Sequence, residues 1–100
     1  MRLSAEQAHA IVLAARLAAG EQAQVKLFGS RLDDRARGGD IDLLVVLPHA
    51  IQRPAWLAAQ VTARVQRALG DRKVDVLIVD PTTDQQAVHK AALREGVLLA

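Results

Sequence analysis

Apolar residues along this chain follow two rhythms. Ala8, Ile11, Val12, Ala15 and Ala19 recur at steps of three and four, which predicts an amphipathic helix. Ser4 with Gln7 three residues on is a capping-box start for that helix, and Gly20 marks its end. Val25-Lys26-Leu27-Phe28 reads as a short strand. Leu43-Leu44-Val45-Val46-Leu47 shows no alternation, the pattern of a central strand covered on both faces, and Pro48 stops it. Pro54 suits the first turn of a second helix, in which Leu57, Val61, Val65 and Leu69 form an i, i+4 stripe closed by Gly70. Val74 to Val79 is a third strand ending at Asp80-Pro81. Thr83 or Asp84 is placed to cap a last helix running to about Glu95, with Gly96 beyond it.

The expected order is therefore α-β-loop-β-α-β-α, which predicts one α/β domain over residues 1–100 with a mixed sheet flanked by helices. The Arg31–Gly39 loop is short enough for the first two strands to pair antiparallel. The helix between the second and third strands allows a parallel crossover.

Composition narrows the classes. A chain of 100 residues can bury one core with little to spare. With no cysteine, disulfides and thiolate metal sites are excluded. Charges interrupt every apolar run before membrane-spanning length, and Met1 to Glu6 lacks the features of a signal peptide, so a cytoplasmic protein away from membranes is expected. Net charge is only +2, but most of the 13 basic residues are arginine, the side chain suited to forked contacts with phosphate. Arg31, Arg35 and Arg37, with Arg72 and Lys73, cluster in sequence around the chemistry described next. A duplex-DNA groove is not expected, because there is no basic recognition helix and no set of stacking aromatics.

That chemistry centres on residues 28–42. A Gly29-Ser30 turn closes the first strand, and Asp40-Ile41-Asp42 opens the second. Residues two apart in an extended strand point the same way, roughly 6–7 Å apart, so Asp40 and Asp42 aim two carboxylates at one spot. Aspartate is disfavoured within strands, yet Asp75 recurs between Val74 and Val76 one strand later. A lone Asp-x-Asp is usually a solvated strand end and a lone Gly-Ser an ordinary turn. Together with the third aspartate they suit divalent cations and a phosphate cradle.

Leu27-Phe28-Gly29-Ser30-Arg31, Gly39-Asp40-Ile41-Asp42-Leu43 and Val74-Asp75-Val76-Leu77 resemble the hydrophobic-Gly-Ser, Asp-x-Asp and third-aspartate motifs of the DNA polymerase β-like nucleotidyltransferases. The chain's size and its tail, Ala91 to Leu99, are similar to the minimal nucleotidyltransferases (MNT) of bacteria and archaea. The resemblance implies a single palm-like nucleotidyltransferase domain. It implies that Gly29, Ser30 and Arg31 contact the nucleotide, and that Asp40, Asp42 and Asp75 are catalytic and bind Mg²⁺, two ions in all. By the same resemblance, Asp75 would also favour deprotonation of the incoming hydroxyl. ATP is the expected substrate. Family members often act as antitoxins beside a HEPN-domain toxin, some by AMPylation of a tyrosine of that partner, so a hetero-oligomer or homo-oligomer is expected. The chain itself has no tyrosine. One departure is the spacing: Ser30 and Asp40 are separated by one residue fewer than in many family members, which bears on where Arg31, Arg35 and Arg37 fall.

Two other readings accompany this one. The chain could be an inactive binding subunit that neutralises a HEPN-like partner by contact, its alanine-rich helices forming the docking face. It could also modify a small molecule such as an aminoglycoside, although no acceptor-binding domain is visible. His9, His49 and His89 lack metal-ligand spacing, Asp33 and Asp34 read as loop solvation, Asp80 as a turn residue rather than a fourth ligand, and Trp56 as a partly buried anchor.

Overall fold

The computed structural model describes residues 4–28, 41–70, 73–83 and 97–99. Its elements in chain order are α1 (Ala5–Ala19), β1 (Gln24–Phe28), β2 (Ile41–Val46), α2 (Pro54–Leu69), β3 (Val74–Val79) and β4 (Val97–Leu98). The expected last helix falls on residues outside the described set.

Local signals account for the helix ends. The Ser4 hydroxyl accepts from the Gln7 N–H at 3.0 Å, and the Gln7 side chain accepts from the Ser4 N–H at 3.0 Å, so the capping box is complete. Gly20 closes α1 at φ 101° and Gly70 closes α2 at φ 88°, left-handed values that a side chain resists. Each donates its N–H back into the helix, to the carbonyls of Arg16 and Gln66. Pro54 opens α2 at a position where its missing N–H costs nothing.

The sheet has the order β3-β2-β1-β4. β1 pairs antiparallel with β2, from Gln24 opposite Val46 to Phe28 opposite Asp42. β2 pairs parallel with β3, from Ile41 beside Val74 to Val46 beside Val79. The mixed sheet therefore follows from the connection lengths as expected. The two-residue strand β4, antiparallel to β1, was not expected from the sequence. Its anchor includes the Leu99 N–H donating to the Val25 carbonyl at 2.7 Å.

Alternation sorts the strand residues onto two faces. Val25, Leu27, Leu43, Val45 and Ile78 join Ile11, Val12 and Ala15 of α1 and Leu57, Val61 and Val65 of α2 in the main core. Among the described residues, both helices thus cover one face. On the other, Leu44 and Val79 are buried with Phe28, Val46 and Leu77 packed against them. β2 is buried on both sides, which explains its unbroken apolar run. This arrangement leaves Asp42 on the face away from the helices, at the beginning of its strand.

Candidate active site

The register of the sheet builds the site. Phe28 ends β1 opposite Asp42, and Asp42 lies beside Asp75 on the parallel neighbour. Direct register partners share a face, so Phe28, Asp42 and Asp75 form one row across three strands, with backbones about 4.8 Å apart from strand to strand. The two aspartates come from segments 33 residues apart in sequence, yet the pairing of Ile41 with Val74 sets them side by side. The backbone reinforces that alignment: the Ile41 N–H donates to the Lys73 carbonyl at 2.9 Å, one step before the carboxylates.

The row sits where β1 finishes and β2 and β3 begin. Gly29 follows Phe28 in the sequence, and Asp40 precedes Ile41. Gly29, Ser30, Arg31 and Asp40 lie outside the described residues, as do Arg35, Arg37 and Arg72. Of the expected site residues, the structure thus brings together Asp42 and Asp75.

Their surroundings differ. Asp42 is partly buried, whereas the Asp75 side chain is 59% exposed. Lys73 approaches Asp75 at 4.0 Å, both ends well exposed, a pairing that water and salt screen. Lys26 occupies the same face one diagonal step from Asp42, since its direct partner is Leu44. Diagonal neighbours in an antiparallel pair are roughly 7–8 Å apart at Cα, within reach of a lysine. Sequence reading passed over Lys26, although its place between Val25 and Leu27 already put it on the face away from the core.

Asp80 belongs to a different structure. It directly follows β3, five residues beyond Asp75 and roughly 16 Å away along an extended chain, too far to share a small cation. It is buried, at 6% exposure. Its Oδ1 accepts the Thr82 hydroxyl at 2.7 Å, the Thr82 N–H at 2.8 Å and the Thr83 hydroxyl at 3.2 Å, while Oδ2 accepts the Ile51 N–H at 2.7 Å. The Thr82 hydroxyl, followed by the Ile51 N–H, outweighs the opposing effect of burial and lowers its pKa from 3.8 to about 2. Asp80 is the turn residue expected, and it also ties the end of β3 to the segment leading into α2.

The donor set at Asp42 and Asp75 consists of carboxylate oxygens, the chemistry that magnesium prefers. Among the described residues no group of three His, Cys, Asp or Glu side chains comes together to cage a metal, and the expected third carboxylate, Asp40, lies outside them. His9 and His49 are exposed, in keeping with surface roles. No described helix is long and apolar enough to cross a membrane. In comparisons with known proteins, no family model and no curated protein matches the chain.

Proposed function

We propose that this chain is a magnesium-dependent nucleotidyltransferase of the polymerase β-like kind, transferring AMP from ATP to a hydroxyl, a tyrosine of a HEPN-type toxin, and so acting as an antitoxin. The observation that carries the reading is the pairing of Asp42 with Asp75 on adjacent parallel strands, on the sheet face opposite the helices. Two aligned carboxylates flanked by buried Ile41, Leu43 and Val74 give the fold no packing benefit, but they suit a cation holding a polyphosphate. The tyrosine acceptor and the HEPN partner rest on the motif resemblance.

Asp42 and Asp75, with Asp40 two residues before Asp42, are the groups that would hold magnesium. When bound, the ion supplies the charge neutralisation that lets a hydroxyl approach a triphosphate. The acceptor oxygen forms a bond to the α-phosphorus while the bond from that phosphorus to the α–β bridging oxygen breaks. Pyrophosphate departs with that electron pair, and the hydroxyl proton passes to a carboxylate oxygen of Asp75. Asp75 suits this task because it is the more exposed of the pair and faces solvent, from which a protein acceptor arrives. Gly29, Ser30 and Arg31 are assigned to the triphosphate by resemblance.

The test mixes the purified chain with Mg²⁺, α-labelled ATP and a lysate of the source cell, beside an Asp40→Asn/Asp42→Asn control. A labelled protein band that the control lacks is the expected result. Absence of any labelled band, together with neutralisation of a toxin partner by the control variant, would replace the enzyme with a subunit acting by contact.

A further inference from the structure

The outer side of the two-helix layer carries features that the carboxylate site does not use. Leu13 and Leu17, one turn apart on α1, are 51% and 72% exposed, and Trp56 on α2 is 54% exposed. Trp56 is thus barer than the anchor expected from sequence. The seam between the helices is open at two places. One depression of about 380 Å³ is bounded by Leu13, Ala14 and Leu17 on α1 and by Arg64, Arg67 and Ala68 on α2. A second, about 270 Å³, lies between Ala18 and Ala19 at the end of α1 and Arg53, Trp56 and Leu57 at the start of α2.

The lining residues show that the helices run antiparallel and that both depressions lie along one seam. Their centres are about eleven residues apart on α2, roughly 16 Å of helix. Alanines keep the floor shallow and leave the leucines and the tryptophan standing along it. Among the described residues, the charge on the α2 side of the rim is all positive. α2 contains no acidic residue, and among the described residues Arg53, Arg64 and Arg67 form no ion pair. The Arg53 guanidinium lies over the Trp56 ring at 5.8 Å. On the α1 side Arg16 donates its Nε–H to the Ala23 carbonyl at 3.3 Å, and Arg16 and Glu21, one charge of each sign, line a neighbouring depression with Leu13 and Leu17.

We propose that this seam is the docking groove for an acidic amphipathic helix of a partner protein. Three turns of such a helix cover both depressions, with apolar side chains at i, i+4, i+7 and i+11 set against Leu13, Leu17 and Trp56. Carboxylates on its flanks meet Arg53, Arg64 and Arg67, and tryptophan and arginine are among the residue types that most often carry the binding energy of protein interfaces. The exposed leucines favour a protein over a nucleic acid, which would leave them uncovered. The groove lies on the opposite side of the sheet from Asp42 and Asp75. A helix held there leaves the carboxylates open, and the inference stands independently of the nucleotidyl reading.

The probe is a fluorescein-labelled synthetic helix of leucines at those four positions with glutamates on its flanks, titrated with the full chain and followed by anisotropy. A second peptide replaces every glutamate with lysine. The acidic peptide is expected to bind about tenfold or more tightly than the basic one, and Arg64→Glu/Arg67→Glu is expected to remove that preference. Leu17→Glu weakens both peptides, and because residue 17 is exposed the variant keeps the thermal midpoint of the parent. Equal binding of both peptides, absence of binding, or an unchanged preference in the arginine variant overturns the proposal. Sedimentation of the chain alone supplies a second reading. A dimer that Leu17→Glu converts to monomer would assign the seam to a second copy of the chain instead.

Discussion

Asp42 and Asp75 lie side by side, so their charges repel, and that repulsion should be measurable as a coupling between the two positions in the metal-free protein. Their backbones are neighbours at the strand spacing of about 4.8 Å, and the side chains share a face. Taking the carboxylates about 5 Å apart in a water-like surrounding, which the exposure of Asp75 justifies, repulsion is about 0.8 kcal/mol at low salt. With a Debye length of about 8 Å at physiological ionic strength, roughly half of that remains. Single variants are ambiguous, because Asp75→Asn also removes the Lys73 contact, an exposed pair at 4.0 Å worth a few tenths of a kcal/mol at most. A double-mutant cycle cancels such partners. We expect Asp42→Asn, Asp75→Asn and the double variant, unfolded by urea at pH 7 without divalent ions, to show a repulsive coupling of about 0.4–0.8 kcal/mol that shrinks as salt is added. At low salt this corresponds to a few degrees in Tm for a domain of this size. Adding Mg²⁺ should raise the parent's midpoint and leave that of the double variant unmoved, since a ligand stabilises only the state that binds it. A coupling of zero, or one that salt does not weaken, refutes the alignment of the two carboxylates.

Other expectations are more local. Gly20→Ala should cost about 1–3 kcal/mol in thermal unfolding although nothing lies within 4 Å of the added methyl, because the loss comes from forcing a side chain into φ 101°. Leu43→Ala empties a fully buried position in the main core and should cost about 2–5 kcal/mol, a large share of a small domain's stability; a cost below 1 kcal/mol would mean that β2 is not buried against the helices. The Asp80 pKa is held below its ordinary value, so its carboxylate stabilises the fold above about pH 4 and loses that effect as pH falls towards 2. Asp80→Asn should therefore be less stable than the parent at neutral pH, with the gap in urea midpoints narrowing across that acid window; a gap that stays constant would contradict the role given to this carboxylate.

The elements that local chemistry specifies were legible in the chain. Ser4, Gln7, Gly20, Pro54 and Gly70 act within a few residues of themselves, and each marks a boundary where the structure has one. The connection lengths were sufficient to expect an antiparallel first pair and a parallel second one. β4 was not visible, since two residues carry no periodicity and, among the described residues, pair with a strand some seventy positions earlier. The site divides along the same line. The residue types at Asp42 and Asp75 were informative in themselves, but their adjacency depends on a register set by Ile41 and Val74. Asp80 could be read as a turn residue, whereas its bond to Ile51, 29 residues away, required the fold. Leu13 and Leu17 drew no notice in the sequence, because what they border depends on α2 lying beside them.

The central claim is that the paired carboxylates hold a metal–nucleotide complex. Its most direct test is calorimetric titration of the intact chain with a non-hydrolysable ATP analogue, with and without Mg²⁺, in the parent and in Asp42→Asn/Asp75→Asn. The account predicts binding by the parent only when Mg²⁺ is present, and none by the double variant with its fold retained. Equal binding by both proteins, or no Mg²⁺-dependent binding by the parent, would contradict it.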